Sequence, residues 1–420
     1  MDDIEALKLT EIATVELTED IQLLFDRVNS ISSSEVYLIG SSTRKLLNNE
    51  TQFSDFDFVG TYDFDQLEDL LGPNIIGRDD DEEVIKVKIG EHVVDLIQSG
   101  SLVEALNYRD ITLSLLCLRG DGKVFDPLDV YSDLQKGVIR MFSPQQKLEE
   151  DPSRLLRLVR FSADLGFIID EETLIAAQQT ILEFDTSLIP EIQKILSLSP
   201  EKRKNFLSIA DNVDIGEQIR NTLSLYGEHL IMSDIPLSNG LEKIRSILAE
   251  NKFYLFGGTI RDVVQGRKFK DIDLKVDLDM FDFATMLEKQ GFSRTEDTDL
   301  PENTYFFNER FKAISIRIED MVYDFTTRVN LTDREWYLHN DINFNTIIFS
   351  PEGGTLSNRA SLPETILGIL SLTEIDHEQE IDPLKIVNFF KQISRNSDLY
   401  VEPLSMEFAT SYIPILFQYF

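Results

Sequence analysis

Cysteine, histidine and positive charge are all scarce in this chain. The single cysteine, Cys117, forms no internal disulfide, and with only four scattered histidines it leaves no ligand set for zinc. It lies in ITLSLLCL, where a buried, inert thiol is expected. Forty Lys and Arg against 75 Asp and Glu give a net charge of −35, a field that repels a polyanion unless basic residues gather in one groove. The acidic run Asp79 to Glu83 reads as a solvated loop. Long apolar runs are missing too: none approaches the roughly 20 residues that span a bilayer. The opening MDDIEALKLTEI is acidic and lacks the basic and apolar regions of a signal peptide. These absences exclude a membrane partner and predict a cytoplasmic protein. What is present, 42% hydrophobic and 27% charged residues over 420 positions, describes a globular chain of roughly two to four domains.

The chain is written twice. LIGSSTRKLL (Leu38 to Leu47) aligns with LFGGTIRDVV (Leu255 to Val264), which sets Gly40 on Gly257 and Arg44 on Arg261. SDFDF then aligns with KDIDL, setting Asp55 and Asp57 on Asp271 and Asp273. KVKIGEHVVDL (Lys86 to Leu96) matches SIRIEDMVYDF (Ser315 to Phe325) without a gap, and both read as strand, tight turn and a second strand ending on a carboxylate, Asp95 or Asp324. YRDITLSLLCLRGDG matches NDINFNTIIFSPEGG with Asp110 on Asp341, and EEDPSRLLRLVRF matches EIDPLKIVNFF. Between the copies, Leu155, Leu158, Val159 and Ala163 recur at helical steps. The expected organisation is an α+β head over 1–145, a helical neck over 146–235, a second head over 236–372 and a short helical remnant over 373–420.

Alternation places Asp271 and Asp273 on one strand face, opposite Ile272, Leu274 and Val276; Asp55 and Asp57 stand likewise opposite Phe56 and Phe58. Two carboxylates about 7 Å apart along a strand repel one another unless a divalent cation lies between them. Mg²⁺ suits such a site, since it takes one or two carboxylates and fills its sphere with water and substrate phosphates. A third carboxylate from a neighbouring strand, Asp95 or Asp324, would complete a clamp on attacking and leaving oxygens. The small-residue turns Gly40-Ser41 and Gly257-Gly258 lead into helices whose N-termini suit a triphosphate. The chemistry implied is phosphoryl transfer from a nucleoside triphosphate. Singly, an Asp-x-Asp is more often plain surface and a Gly-Gly more often a turn. The ordered combination, occurring twice, is far more specific.

These blocks resemble the tRNA nucleotidyltransferase (CCA-adding enzyme) and bacterial poly(A) polymerase family of the DNA polymerase beta superfamily. Phe256-Gly257-Gly258 through Asp271-Ile272-Asp273, with Arg261 and Asp262, is similar to its first motif; in copy one Lys45 replaces that aspartate. Tyr108-Arg109-Asp110 partly keeps its Arg-Arg-Asp motif, and Asn340-Asp341 keeps it more loosely. Glu150-Asp151-Pro152-Ser153-Arg154 resembles the neck motif whose Glu, Asp and Arg read the incoming base. By this resemblance Asp55, Asp57, Asp95, Asp271, Asp273 and Asp324 are catalytic, the two Asp pairs hold Mg²⁺, and Gly40, Ser41, Gly257 and Gly258 hold phosphate. Arg44, Arg109, Asp110, Glu150, Asp151, Arg154, Arg157, Arg261 and Asp341 would meet the nucleotide. Asp and Arg side chains can indeed bond the Watson–Crick edges of adenine and cytosine; the plainer alternative for this neck motif is a helix cap with solvated arginines.

Copy two departs from the family with Asn340 for an arginine and with Ile381 and Lys385 for the base-reading Glu and Arg. Copy one keeps those groups but has the weaker phosphate turn. A second head stands where the family has a long helical body gripping tRNA. The expected function is template-independent addition of AMP or CMP from ATP or CTP to an RNA 3′-hydroxyl, as in tRNA CCA addition or polyadenylation, with copy one marginally favoured as the productive site. The alternatives are transfer to a protein or small molecule, which the acidic charge favours, and a non-catalytic nucleotide-binding or assembly protein.

Overall fold

The computed structural model describes residues 10–411 other than 49, 51–52, 54–55, 64, 66, 68–70, 80–82, 100, 108, 235–238, 269–270, 298, 311, 328–346, 351–354, 358–360, 372–382 and 396–397. Two compact units divide the chain, Met1–Ile181 and Leu182–Phe420. Each is built on its own mixed eight-stranded sheet with helices, so the α+β class is borne out.

The first sheet contains β1 (Thr10–Thr14), β2 (Tyr37–Ile39), β3 (Phe56–Gly60), β4 (Ile75–Asp79), β5 (Val84–Ile89), β6 (His92–Gln98), β7 (Cys117–Arg119) and β8 (Lys123–Asp126). Its spatial order is β1-β8-β7-β2-β3-β6-β5-β4. A small parallel pair, β9 (Val138–Ile139) with β10 (Ile168–Ile169), follows in the helical part of the same unit. The second sheet contains β11 (Phe253–Phe256), β12 (Asp271–Val276), β13 (Ser293–Thr295), β14 (Thr304–Asn308), β15 (Ala313–Ile318), β16 (Met321–Thr327), β17 (Ile348–Ser350) and β18 (Thr355–Ser357), in the order β13-β14-β15-β16-β12-β11-β17-β18. Read from β18, this order repeats the first sheet from β8 to β4 strand for strand. Copy one adds β1 at one edge, and copy two adds β13 at the other. The duplication seen in the sequence is therefore a duplication of topology.

Alternation decides which face of each sheet is core. In β12 the even positions Ile272, Leu274 and Val276 are buried, and the helix Met280–Lys289 packs on that side, with the Phe283 and Phe325 rings 4.7 Å apart. In copy one Phe56 and Phe58 join Leu38, Ile85, Val87, Val94 and Leu96 under the helix Glu19–Asn29, which Thr18 caps by accepting from the Ile21 N–H. The opposite face carries Asp57, and beside it Tyr37, Ile39 and Val59 belong to a second core with Leu115, Leu116 and Cys117. Cys117 is fully buried and free, and burial pushes its thiol well above the usual range, which makes it a packing residue rather than a nucleophile.

The helices between the heads divide at Ile181. Ser153–Leu165 and Glu171–Gln179 stay with copy one. Farther on, the helix Gly216–Asp234 packs on Gly257–Val264 and Leu362–Ile366 of copy two, and Arg220 bridges Asp211 and Glu364 there. Among the described residues no helix is long and apolar enough to cross a membrane.

Candidate active site

In copy two, β11 runs straight into the helix Gly257–Val264, so the two glycines form its first turn. Gly257 sits at φ +61°, and a Cβ on Gly258 would lie 2.8 Å from Asp273 Oδ2. That space is filled by the carboxylate: the Gly258 N–H donates to Asp273 Oδ2 at 2.9 Å, and the Asp273 N–H donates to Thr259 Oγ1 at 2.8 Å. The strand β12 lies parallel to β16 with Asp273 directly beside Asp324 and Asp271 beside Val322. The third carboxylate thus stands where the alternation pattern requires it, although within its strand rather than at the end, since β16 continues to Thr327. Burial first, then the neighbouring Asp271 and Asp324 charges, push the Asp273 carboxyl up to about 6, against the pull of the Gly258 and Thr259 N–H groups. Burial and the Asp271 charge likewise raise Asp324, while a hydrogen bond from the Ser315 hydroxyl pulls it down.

Copy one repeats the geometry with different partners. Gly40 has φ +81° and ψ −148°, a region only glycine occupies readily, and a Cβ there would lie 2.7 Å from Asp57 Oδ2. β3 is parallel to β6 with Asp57 beside Asp95. Here, however, each carboxylate faces a cation: Arg109 Nη1 is 3.5 Å from Asp57 Oδ2, and Lys86 Nζ is 3.0 Å from Asp95 Oδ1. The Gly40 N–H donates to the Ser114 carbonyl at 3.2 Å. In both turns, then, one N–H of the expected phosphate cradle binds protein: Gly40 through backbone, Gly258 through Asp273. Ser41 opens the helix Ser41–Leu47 and is half-buried.

The neck motif gathers around Asp110. Arg157 Nη1 lies 2.5 Å and Arg154 Nε 4.0 Å from Asp110 Oδ2, while Asp110 Oδ1 accepts from the Ile111 N–H at 2.9 Å. Arg154 also reaches Glu150 at 3.2 Å, Asp151 at 3.7 Å and the Lys147 carbonyl at 2.6 Å. Hydrogen bonds from Gln146 and Arg154 hold the Glu150 carboxyl below the usual carboxylate range. Asp151 Oδ1 accepts from the Ser153 N–H at 2.9 Å, a bond to the start of the helix Ser153–Leu165, but Pro152 stands at its N-cap and Arg157 is paired with Asp110 rather than solvated. Adjacent residues 109 and 110 consequently tie the acidic strands to the neck: one pairs with Asp57, the other with Arg154 and Arg157.

The aligned arginines Arg44 and Arg261 both turn to protein. Arg44 is only 7% exposed, in the field of Glu50 and Asp164. Arg261 pairs with Asp262 at 2.7 Å and donates to Gln392 on the helix Pro383–Arg395 at 3.3 Å. Asp55, Asn340, Asp341 and Ile381 lie outside the described residues. Lys86, Ser315 and Thr259 are site neighbours that the sequence reading passed over. A signal existed for the first two: the two-residue turns Gly90-Glu91 and Glu319-Asp320 set Lys86 opposite Asp95 and Ser315 opposite Asp324.

Among the described residues no group of three His, Cys, Asp or Glu side chains is drawn together tightly enough to hold a metal by itself. Mg²⁺ does not demand one, since two carboxylates with water and phosphate oxygens suffice. Asp273 and Asp324, side by side and both raised by burial and like charge, are hard oxygen donors whose repulsion a dication would relieve. The donor set of copy two fits such an ion.

Each unit thus presents the same arrangement: a small-residue turn packed on an acidic strand, with a third carboxylate on the parallel neighbour. No family model matches the chain. The resemblance to tRNA nucleotidyltransferases is borne out by curated relatives. A "CC-adding tRNA nucleotidyltransferase" of Halalkalibacterium halodurans is 39% identical over 80 residues, 19% of this chain and 21% of that protein. A "Multifunctional CCA protein" of Nitrosococcus oceani is 30% identical over 175 residues, 37% of this chain and 42% of that one. The chain therefore spans less than half the length of these relatives. A solved "tRNA-processing enzyme (apo form I)" overlaps 56% of this chain and 70% of its own at 22% identity and TM-score 0.44, too loosely to decide anything further.

Proposed function

We propose that the chain is a Mg²⁺-dependent nucleotidyltransferase that adds AMP or CMP from ATP or CTP to an RNA 3′-hydroxyl, with tRNA the first acceptor to test. The observation that carries this reading is the register of the acidic strands, which sets Asp273 beside Asp324 and repeats itself with Asp57 beside Asp95. Asp273 and Asp324 would hold the ion, with Asp271 on the same strand face adding negative charge; when bound, the ion would neutralise phosphate charge and lower the pKa of an attacking hydroxyl. The chain's own residues supply position. Gly257 and Gly258 let a phosphate approach the backbone, and the tie from Gly258 to Asp273 aligns turn with carboxylate. The Glu150, Asp151 and Arg154 cluster offers donors and acceptors of the kind that discriminate base edges. The names of the curated relatives, CC-adding and CCA, support tRNA as acceptor.

A second reading, transfer to a protein or small molecule, is favoured by the charge of −35. Incubating the full chain with Mg²⁺, labelled ATP or CTP and total RNA separates the two. Label at tRNA 3′-ends is the expected result; label on protein or a small product with unlabelled RNA selects the second reading, and absence of transfer overturns both.

A further inference from the structure

The two hairpins, alike in register, differ at the position opposite the third carboxylate. β5 and β15 carry Lys88 and Arg317 at the same register, one pleat from the site, but Lys86 and Ser315 directly opposite the third carboxylate. In copy one Lys86 Nζ meets Asp95 at 3.0 Å and Arg109 meets Asp57 at 3.5 Å, two described carboxylates facing two cations. In copy two the Asp273 carboxylate accepts from the Gly258 and Thr259 backbone N–H groups, and the Asp324 carboxylate from the Ser315 hydroxyl, all neutral donors. Among the described residues of copy two, Arg261 pairs with Asp262 and Gln392 and Lys275 lies over the Phe256 ring at 5.1 Å, while Arg317 stands opposite Val322, the residue paired with Asp271.

We infer that the copies have parted over cation binding: the divalent ion belongs to copy two, at Asp273 and Asp324, while in copy one the Lys86 ammonium and the Arg109 guanidinium occupy the place of the ion. This deepens the reading of the acidic strands as a metal site and assigns that site to one lobe. The Lys86–Asp95 pair, with the lysine side chain 46% exposed, is weak as a bond. Its effect is that of charge, because a positive group beside Asp95, with Arg109 beside Asp57, offsets part of the field that would draw a dication. Copy one would then be a nucleotide- or base-contacting lobe, keeping its Asp110, Arg154 and Arg157 cluster, and the expectation that it is the productive site gives way to copy two.

The test counts Mn²⁺ bound to the full chain by electron paramagnetic resonance, with no nucleotide or RNA present. One site per chain is expected, with any binding at copy one at least about tenfold weaker. Asp273→Asn should remove the site and Asp57→Asn should keep it. Lys86→Ser should add a second site, and Ser315→Lys, which transplants the copy-one cation opposite Asp324, should abolish the first even if Asp273→Asn folds poorly. Two equal sites in the native chain, no site at all, loss on Asp57→Asn, or no gain from Lys86→Ser would overturn the partition. A chain that labels tRNA yet binds two equal ions loses only this inference; one that binds a single ion at copy two and transfers nothing loses only the transfer reading.

Discussion

Gly258 and Asp273 occupy each other's space, and most of the site's precision follows from that contact. An alanine methyl at 258 would meet Asp273 Oδ2 at 2.8 Å, inside any tolerated approach, so the carboxylate must swing away from the turn. Gly258→Ala is expected to lower nucleotide transfer by at least about a hundredfold with a small change in melting temperature, read by a 3′-labelling assay beside thermal denaturation. Asp273 also predicts a pH dependence. Its carboxyl keeps a proton up to about pH 6 in the folded chain and only into the ordinary aspartate range, about 3.9, when unfolded. Between these values the folded state binds more protons than the unfolded state, so stability declines as pH rises through the window and returns on acidification. In chelator, Asp273→Asn, a mimic of the protonated form, should match the native chain near the acid end and melt above it past pH 6. A constant difference across that range would show that Asp273 is not buried among like charges.

At the scale of elements, two kinds of pairing build the site. The parallel pair β12 and β16 aligns carboxylates, and the hairpin β15–β16 chooses what faces them. In the first unit, the helix Ser153–Leu165 is moored to the acidic lobe through Asp110, whose side chain is 8% exposed and meets Arg157 at 2.5 Å. Asp110→Ala leaves both arginines without this acceptor and should destabilise the first unit by about 1–3 kcal/mol. Denaturant titration measures that loss. Arg157→Ala should cost less, since Asp110 retains the Ile111 N–H and Arg154.

Over the whole molecule the dominant number is the charge of −35. Self-repulsion of this size opposes compaction and is screened as the Debye length falls from about 10 Å at 0.1 M salt to about 3 Å at 1 M. The melting temperature should therefore rise with monovalent salt, which differential scanning calorimetry would show; a fall would mean that attractive pairs such as Arg220 with Asp211 and Glu364 dominate instead. RNA binding, by contrast, should weaken with salt if basic groups touch phosphate. A binding curve unmoved by salt would count against an RNA acceptor.

What could be read from the residue string alone was the duplication, the strand faces and the choice of Asp95 and Asp324 as third carboxylates; the register that sets them beside Asp57 and Asp273 came from the fold. The readings from the string depend on period-two alternation and on the order of blocks, and both are written there. Even Lys86 opposite Asp95 was readable from a two-residue turn. Tertiary structure alone decided that Arg44 and Arg261 turn to protein, that Asp110 receives Arg157 from 47 positions away, and that the helix Gly216–Asp234 packs on copy two. The reason is physical: an amphipathic pattern says which face of a helix is buried but not against what, and a charged side chain finds its partner only after distant segments have been brought together by the packing of their apolar faces.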